Sequence, residues 1–239
     1  MLVFCHLLIG TAIGLMVYRL SGVRAAVPLA ALGAILPDII DKPLGHIFLQ
    51  GTLDSGRIYA HTLLFLGLVA VAGLAAWKAK GTPLLAAVAL GAGSHLLLDG
   101  MWANPTTLFW PALGPFTPYH YPDYFGNAVI VELSSPLEWL FALSCVVILT
   151  ALYRDKLGSR GQEAACWVRP YRGPLFFLLL AAGVVAVAAL MVIPPADLMD
   201  LQNRLIAGGC AIVGGWFLLM REREVKPQTN SSETGPDLL

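Results

Sequence analysis

Six side chains able to bind a metal stand beside apolar runs: His6 near the start, Asp38 and Asp41 in ILPDIIDKPLG, His61 in SGRIYAHTLL, and His95 and Asp99 in SHLLLDG. Carboxylate oxygens and neutral imidazole nitrogens together form the ligand set of zinc, manganese and non-haem iron. Asp38 and Asp41 are three residues apart, His95 and Asp99 four. On a helix either interval puts both side chains on one face, where they can converge on a common point. Pro37 ends or kinks its helix and aims the two carboxylates inward. Arg57, four residues before His61, is suited to hold a substrate anion or to pair with a carboxylate. Glu138, in SSPLEW, is placed to act as a general base. His46 and His120 read as loop histidines, and Glu132 as a helix-start charge.

The elements that must position these groups are membrane helices. The chain has 239 residues, 57% hydrophobic and 13% charged, against about 45–50% and about 25% in a soluble domain. A hydrocarbon core about 30 Å thick needs roughly 20 apolar residues in a helix. Such runs occur at 2–20, 25–40, 58–77, 83–102, 129–153, 174–193 and 205–220. The pattern predicts an all-α polytopic bundle of about seven transmembrane helices. Residues 1–128 are expected to form a four-helix region carrying the site, 129–220 three further helices of the same bundle, and 221–239 a polar, disordered tail. The first run lacks a basic n-region and is read as a retained helix rather than a signal peptide.

Charge placement predicts an orientation. Of fifteen Lys and Arg, twelve fall in the tail and in alternate connections, leaving only Lys42, Arg57 and Arg204 on the other side. Basic residues resist translocation, so the expected topology in the cell membrane has an external N-terminus and a cytoplasmic C-terminus. All six metal-type residues and Glu138 then collect at the external face. A lone His or Asp at an interface is commonly just solvated, but convergence from several helices points to one site. Lys+Arg and Asp+Glu balance at 15 each, so no nucleic-acid partner is expected. Cys5, Cys145, Cys166 and Cys210 are dispersed without a Cys-x-x-Cys spacing, which argues against a thiolate zinc site or a disulfide framework. The aromatic residues from Trp102 to Phe125 read as an interfacial belt. The sequence assigns no oligomeric state.

The order of His6, LPDIIDKPLG at 36–45, GRIYAHT at 56–62, GSHLLLDG at 93–100 and PTTLFWPALG at 105–114 resembles the YdjM-like family of membrane-associated metal-dependent hydrolases. The likeness covers roughly the first half of the chain. The HR-x-x-TH-S element of that family is met here by Arg57 and His61, while Ala60 and Thr62 stand where Thr and Ser are more usual. Through the family's grouping with zinc phospholipase C and related nucleases, the resemblance implies phosphoester hydrolysis at a multi-metal centre. The expected cofactor is a divalent metal, zinc before manganese or iron, held by His6, Asp38, Asp41, His61, His95 and Asp99. Six candidates exceed the three protein ligands usual for one catalytic zinc. Two ions, or one ion with the remaining residues orienting its ligands, would account for them. The expected partners are membrane lipid and a small-molecule or lipid substrate. Two rivals use the same residues: an ion or proton transporter, and a membrane protein that binds metal without catalysis.

Overall fold

Helix is the only regular structure among the residues described, 3–119, 123–196 and 198–218 of a computed structural model. In chain order the α-helices are α1 (Val3–Ser21), α2 (Ala26–Pro43), α3 (Leu63–Lys80), α4 (Leu84–Leu98), the single turn α5 (Pro105–Leu108), α6 (Tyr124–Ser134), α7 (Pro136–Leu152), α8 (Ser159–Val168), α9 (Arg172–Ala188) and α10 (Leu198–Leu218). His120 and the 221–239 tail lie outside the described residues.

Length and composition qualify three of these as membrane spans: α1, α3, and the stretch Ser159–Met191 in which α8 runs on into α9. A fourth qualifies if α6 and α7 count as one broken span. The count falls short of the seven expected, for local reasons. Helix α2 carries Asp38, Asp41 and Lys42 in its last turns. Helix α4 and the Arg204–Leu218 part of α10 are apolar but short. The fifth apolar run breaks at Pro136, which opens α7 and forces Ser135 before it into extended backbone (φ −89°, ψ 109°). Helices α6 and α7 therefore meet at 77°. The third run starts later than expected, because residues 58–62 are loop and Thr62 caps α3 by accepting the Phe65 N–H at 3.0 Å.

Helices α1, α2 and α4 pack on one another, with α3 alongside α4, while α7, α9 and α10 form a second group that meets α1. Leu8 of α1, Phe141 of α7, Leu179 of α9 and Leu218 of α10 share the largest apolar core. The α2–α4 seam is closed by glycine. A Cβ on Gly33 would lie 2.2 Å from the Val88 carbonyl oxygen, and one on Gly91 would lie 2.1 Å from that of Ala30. Small residues let helix backbones touch in this way where lipid offers no hydrophobic drive for association. At one end of the bundle α2 and α4 finish while α1, α3 and α7 begin. At the other end Arg24 pairs with Asp155, and the Tyr153 hydroxyl donates to the Arg24 carbonyl at 3.0 Å. The Arg24 hydrogen bond holds the Asp155 carboxyl below the ordinary carboxylate range.

Candidate metal centre

Asp41 organises the loop that delivers His61. Its carboxylate is fully buried and accepts the backbone N–H of Ile58 at 2.9 Å, of Ala60 at 3.0 Å and of His61 at 3.1 Å. The imidazole Nδ1 of His61 donates to the same group at 2.7 Å. A carboxylate so furnished is satisfied without water, and the segment IYAH wraps around it. His95 is fixed in parallel: its Nδ1 donates to the Ala34 carbonyl of α2 at 2.7 Å. Helix α4 ends immediately after, with Gly100 in the left-handed region (φ 60°), so Asp99 sits at the helix terminus one turn beyond His95. The C-terminal ends of α2 and α4 both reach the site, and each carries a partial negative charge that favours a cation.

These bonds determine the tautomers. A carbonyl oxygen and a carboxylate can only accept, so both Nδ1 atoms carry hydrogen and, in the neutral rings, both Nε2 atoms present lone pairs. Yet the two Nε2 atoms of His61 and His95 face each other at 3.1 Å. Asp38 Oδ1 lies 3.6 Å from His61 Nε2 and 3.7 Å from His95 Nε2. Asp99 Oδ2 lies 3.9 Å from each. Two ligand atoms sharing a tetrahedral zinc at its usual bond length are about 3.3–3.4 Å apart, which the closest of these separations bracket. His6, fully buried in α1, joins from the other side: its Nε2 is 3.3 Å from Asp99 Oδ1, and its ring centroid is 4.2 Å from that of His95. Two overlapping groups could therefore hold a metal, Asp38–His61–His95 and His6–His95–Asp99, with His95 common to both. Donor types and spacing fit one transition-metal dication or a close pair.

Two cations complete the cluster. Lys42 Nζ bonds Asp38 Oδ2 one turn along α2, and Arg57 Nη2 bonds Asp99 Oδ2 at 2.9 Å. All four line a cavity of 620 Å³, together with the polar side chains of Asn104, Thr107 and Tyr124. Lys42 was not among the site residues expected from sequence, although its i,i+4 spacing from Asp38 signals the pair.

The structure thus brings together His6, Asp38, His61, His95 and Asp99, sets Asp41 behind His61, and pairs Arg57 with a carboxylate. Glu138 belongs to neither group. Its Oε2 accepts the Phe4 N–H at 2.7 Å and the Cys5 N–H at 3.3 Å, capping the first turn of α1, and Glu132 accepts the Val3 N–H at 3.2 Å. His46 is buried rather than a surface loop residue, with Nδ1 2.9 Å from Asp54 Oδ1.

Neither a curated protein nor a solved structure matches the chain. A family model described as YdjM inner membrane protein matches residues 1–193, a span that includes every residue of the cluster. With well over half of its 239 residues matched, the chain belongs to the YdjM inner membrane protein family.

Proposed function

We propose that the protein is a membrane-embedded metal-dependent hydrolase acting on a phosphoester or lipid-like substrate at the external face. The observation that carries this reading is the 3.1 Å approach of two Nε2 atoms whose lone pairs point at each other between carboxylates. Bare lone pairs repel, and a dication between them turns repulsion into binding. In this reading His6, Asp38, His61, His95 and Asp99 hold one or two ions, zinc before manganese or iron. Asp41 and the Ala34 carbonyl fix the ligand rings. A divalent metal held there supplies Lewis acidity toward an ester oxygen and lowers the pKa of water. Arg57 and Lys42 offset the charge of the ligand carboxylates and offer N–H donors to a substrate anion in the cavity. In this reading the N-terminus is external and the cavity opens level with lipid headgroups; the alternating basic connections support that orientation.

Metal analysis of the purified protein tests the proposal, together with hydrolysis of phosphoesters in mixed micelles. The expected result is one or two transition-metal ions per chain, their loss in a His95→Ala, Asp99→Ala double variant, and activity removed by chelation and restored by zinc. No bound transition metal, with the same content in the double variant, overturns it. The short Nε2–Nε2 distance also suits a single shared proton, which favours proton transport as the second reading. Proton flux in liposomes carrying the protein, abolished by the same substitutions, would select it.

A further inference from the structure

The cavity beside Asp38 and Asp99 is also lined by His46 and Gly56. His46 lies in a wide π-helical turn, Leu44–Phe48, a form that recurs at functional sites. Its Nδ1 is 2.9 Å from Asp54 Oδ1, and both side chains are buried. Asp54 reaches it only by adopting φ 43°, a left-handed conformation uncommon for a residue with a side chain. The ring is clamped from its face as well: Tyr124 stacks on it with centroids 3.9 Å apart and planes 14° apart. The other nitrogen is treated differently. A Cβ on Gly56 would lie 2.9 Å from His46 Nε2, so the glycine makes room for that atom in the cavity wall. Nε2 has no hydrogen-bond partner among the described residues. Buried side-chain nitrogens are ordinarily hydrogen-bonded within the protein. Here one is locked by a carboxylate and the other opens toward the space beside the metal-type ligands. Among the described residues, Asp54 and Tyr124 contact the ring; Lys42 also borders Gly56 and in turn bonds Asp38.

We infer that His46, oriented by Asp54, is the residue that exchanges a proton with substrate in this cavity, serving as general acid for the leaving group. The inference rests on the hydrolase reading above and adds to it a catalytic dyad separate from the metal ligands. For a phosphomonoester, the water oxygen forms the new P–O bond while the P–O bond to the alcohol breaks. The electron pair of the broken bond stays on the alcohol oxygen, which takes the proton from His46 Nε2. The proton released by the attacking water returns to Nε2, so ester and water give alcohol and phosphate with His46 restored. Asp54 keeps the hydrogen on Nδ1 throughout, the role a carboxylate plays toward any histidine that shuttles protons through its other nitrogen.

The test compares His46→Gln and Asp54→Asn with wild type on an alkyl phosphate, whose alkoxide needs a proton to leave, and on para-nitrophenyl phosphate, whose phenolate does not. His46→Gln is expected to keep the wild-type metal content, to lose about a hundred- to ten-thousand-fold on the alkyl ester, and to lose less than about tenfold on the aryl ester. Asp54→Asn should shift the same ratio in the same direction. Independently of turnover, inorganic phosphate added to the metal-loaded protein should move the His46 resonance in spectra of isotope-labelled histidine. Equal losses on both esters, or a His46 resonance that phosphate leaves unmoved, would overturn the role of His46 alone. Wild-type protein that binds no metal, or binds it and hydrolyses neither ester, overturns the hydrolase reading and this role with it.

Discussion

Asp41 shows how much of the site depends on one side chain that need not touch a metal. Three backbone N–H groups and His61 Nδ1 converge on it. Asp41→Asn would turn an amide NH₂ toward some of these donors and release the tautomer of His61. The expected outcome is folded protein whose metal affinity falls about 10–100-fold, measured by competition with a chromogenic chelator. Unchanged affinity would reduce Asp41 to a loop fastener. At this scale the sequence conveyed which residues converge but not what each one does. The i,i+3 spacing of Asp38 and Asp41 puts both on one helix face. Which of them faces the histidine nitrogens and which meets the backbone depends on the path of residues 58–61, and no periodicity encodes a loop. The same limit hid His46: its partner Asp54 lies eight residues on, across a turn that requires a positive φ.

Helix α1 owes its first turn to another helix. Glu138 of α7 takes the Phe4 and Cys5 N–H groups that would otherwise be orphaned one residue before His6. Glutamine preserves an acceptor there and alanine does not. Glu138→Gln is therefore expected to retain both stability and hydrolysis, while Glu138→Ala costs about 1–3 kcal/mol through stranded donors, read as a lowered midpoint of thermal unfolding in detergent. Abolished turnover in a stable Glu138→Gln protein would instead support the general base expected from sequence. Helix existence was plain in the hydropathy of the chain, since α1, α2, α3, α4, α6, α7, α9 and α10 all overlap predicted runs. Their ends were not. Hydropathy reads Ile58-Tyr59-Ala60 as the start of a span, whereas two of those residues are buried because they fold about a carboxylate. It also reads through Pro136, where backbone sterics turn the chain.

On the scale of the whole molecule, the two ends of the bundle differ in chemistry. The centre, its cavity and the paired cations Lys42 and Arg57 occupy one end. Arg19, Arg24, Lys78, Lys80, Arg154 and Lys156 follow the helix ends at the other. This segregation was visible in the sequence as alternating basic connections. The glycine seam between α2 and α4 was not, because helix contacts depend on which faces meet. That seam bears on how the protein meets membranes of different thickness. Backbones already touching at Gly33 and Gly91 have no slack to slide or splay, so Asp38 on α2 and His95 and Asp99 at the end of α4 keep their spacing when the lipid around them thins or swells. Helix α3 buries only Gly73 and turns most of its surface to lipid, yet at that glycine its backbone also touches α4, a Cβ there lying 2.8 Å from the Ala86 nitrogen. If the proposed centre holds zinc, its retention should accordingly stay level across vesicles made from short- to long-chain lipids, and a sharp optimum at one chain length would mean the seam yields.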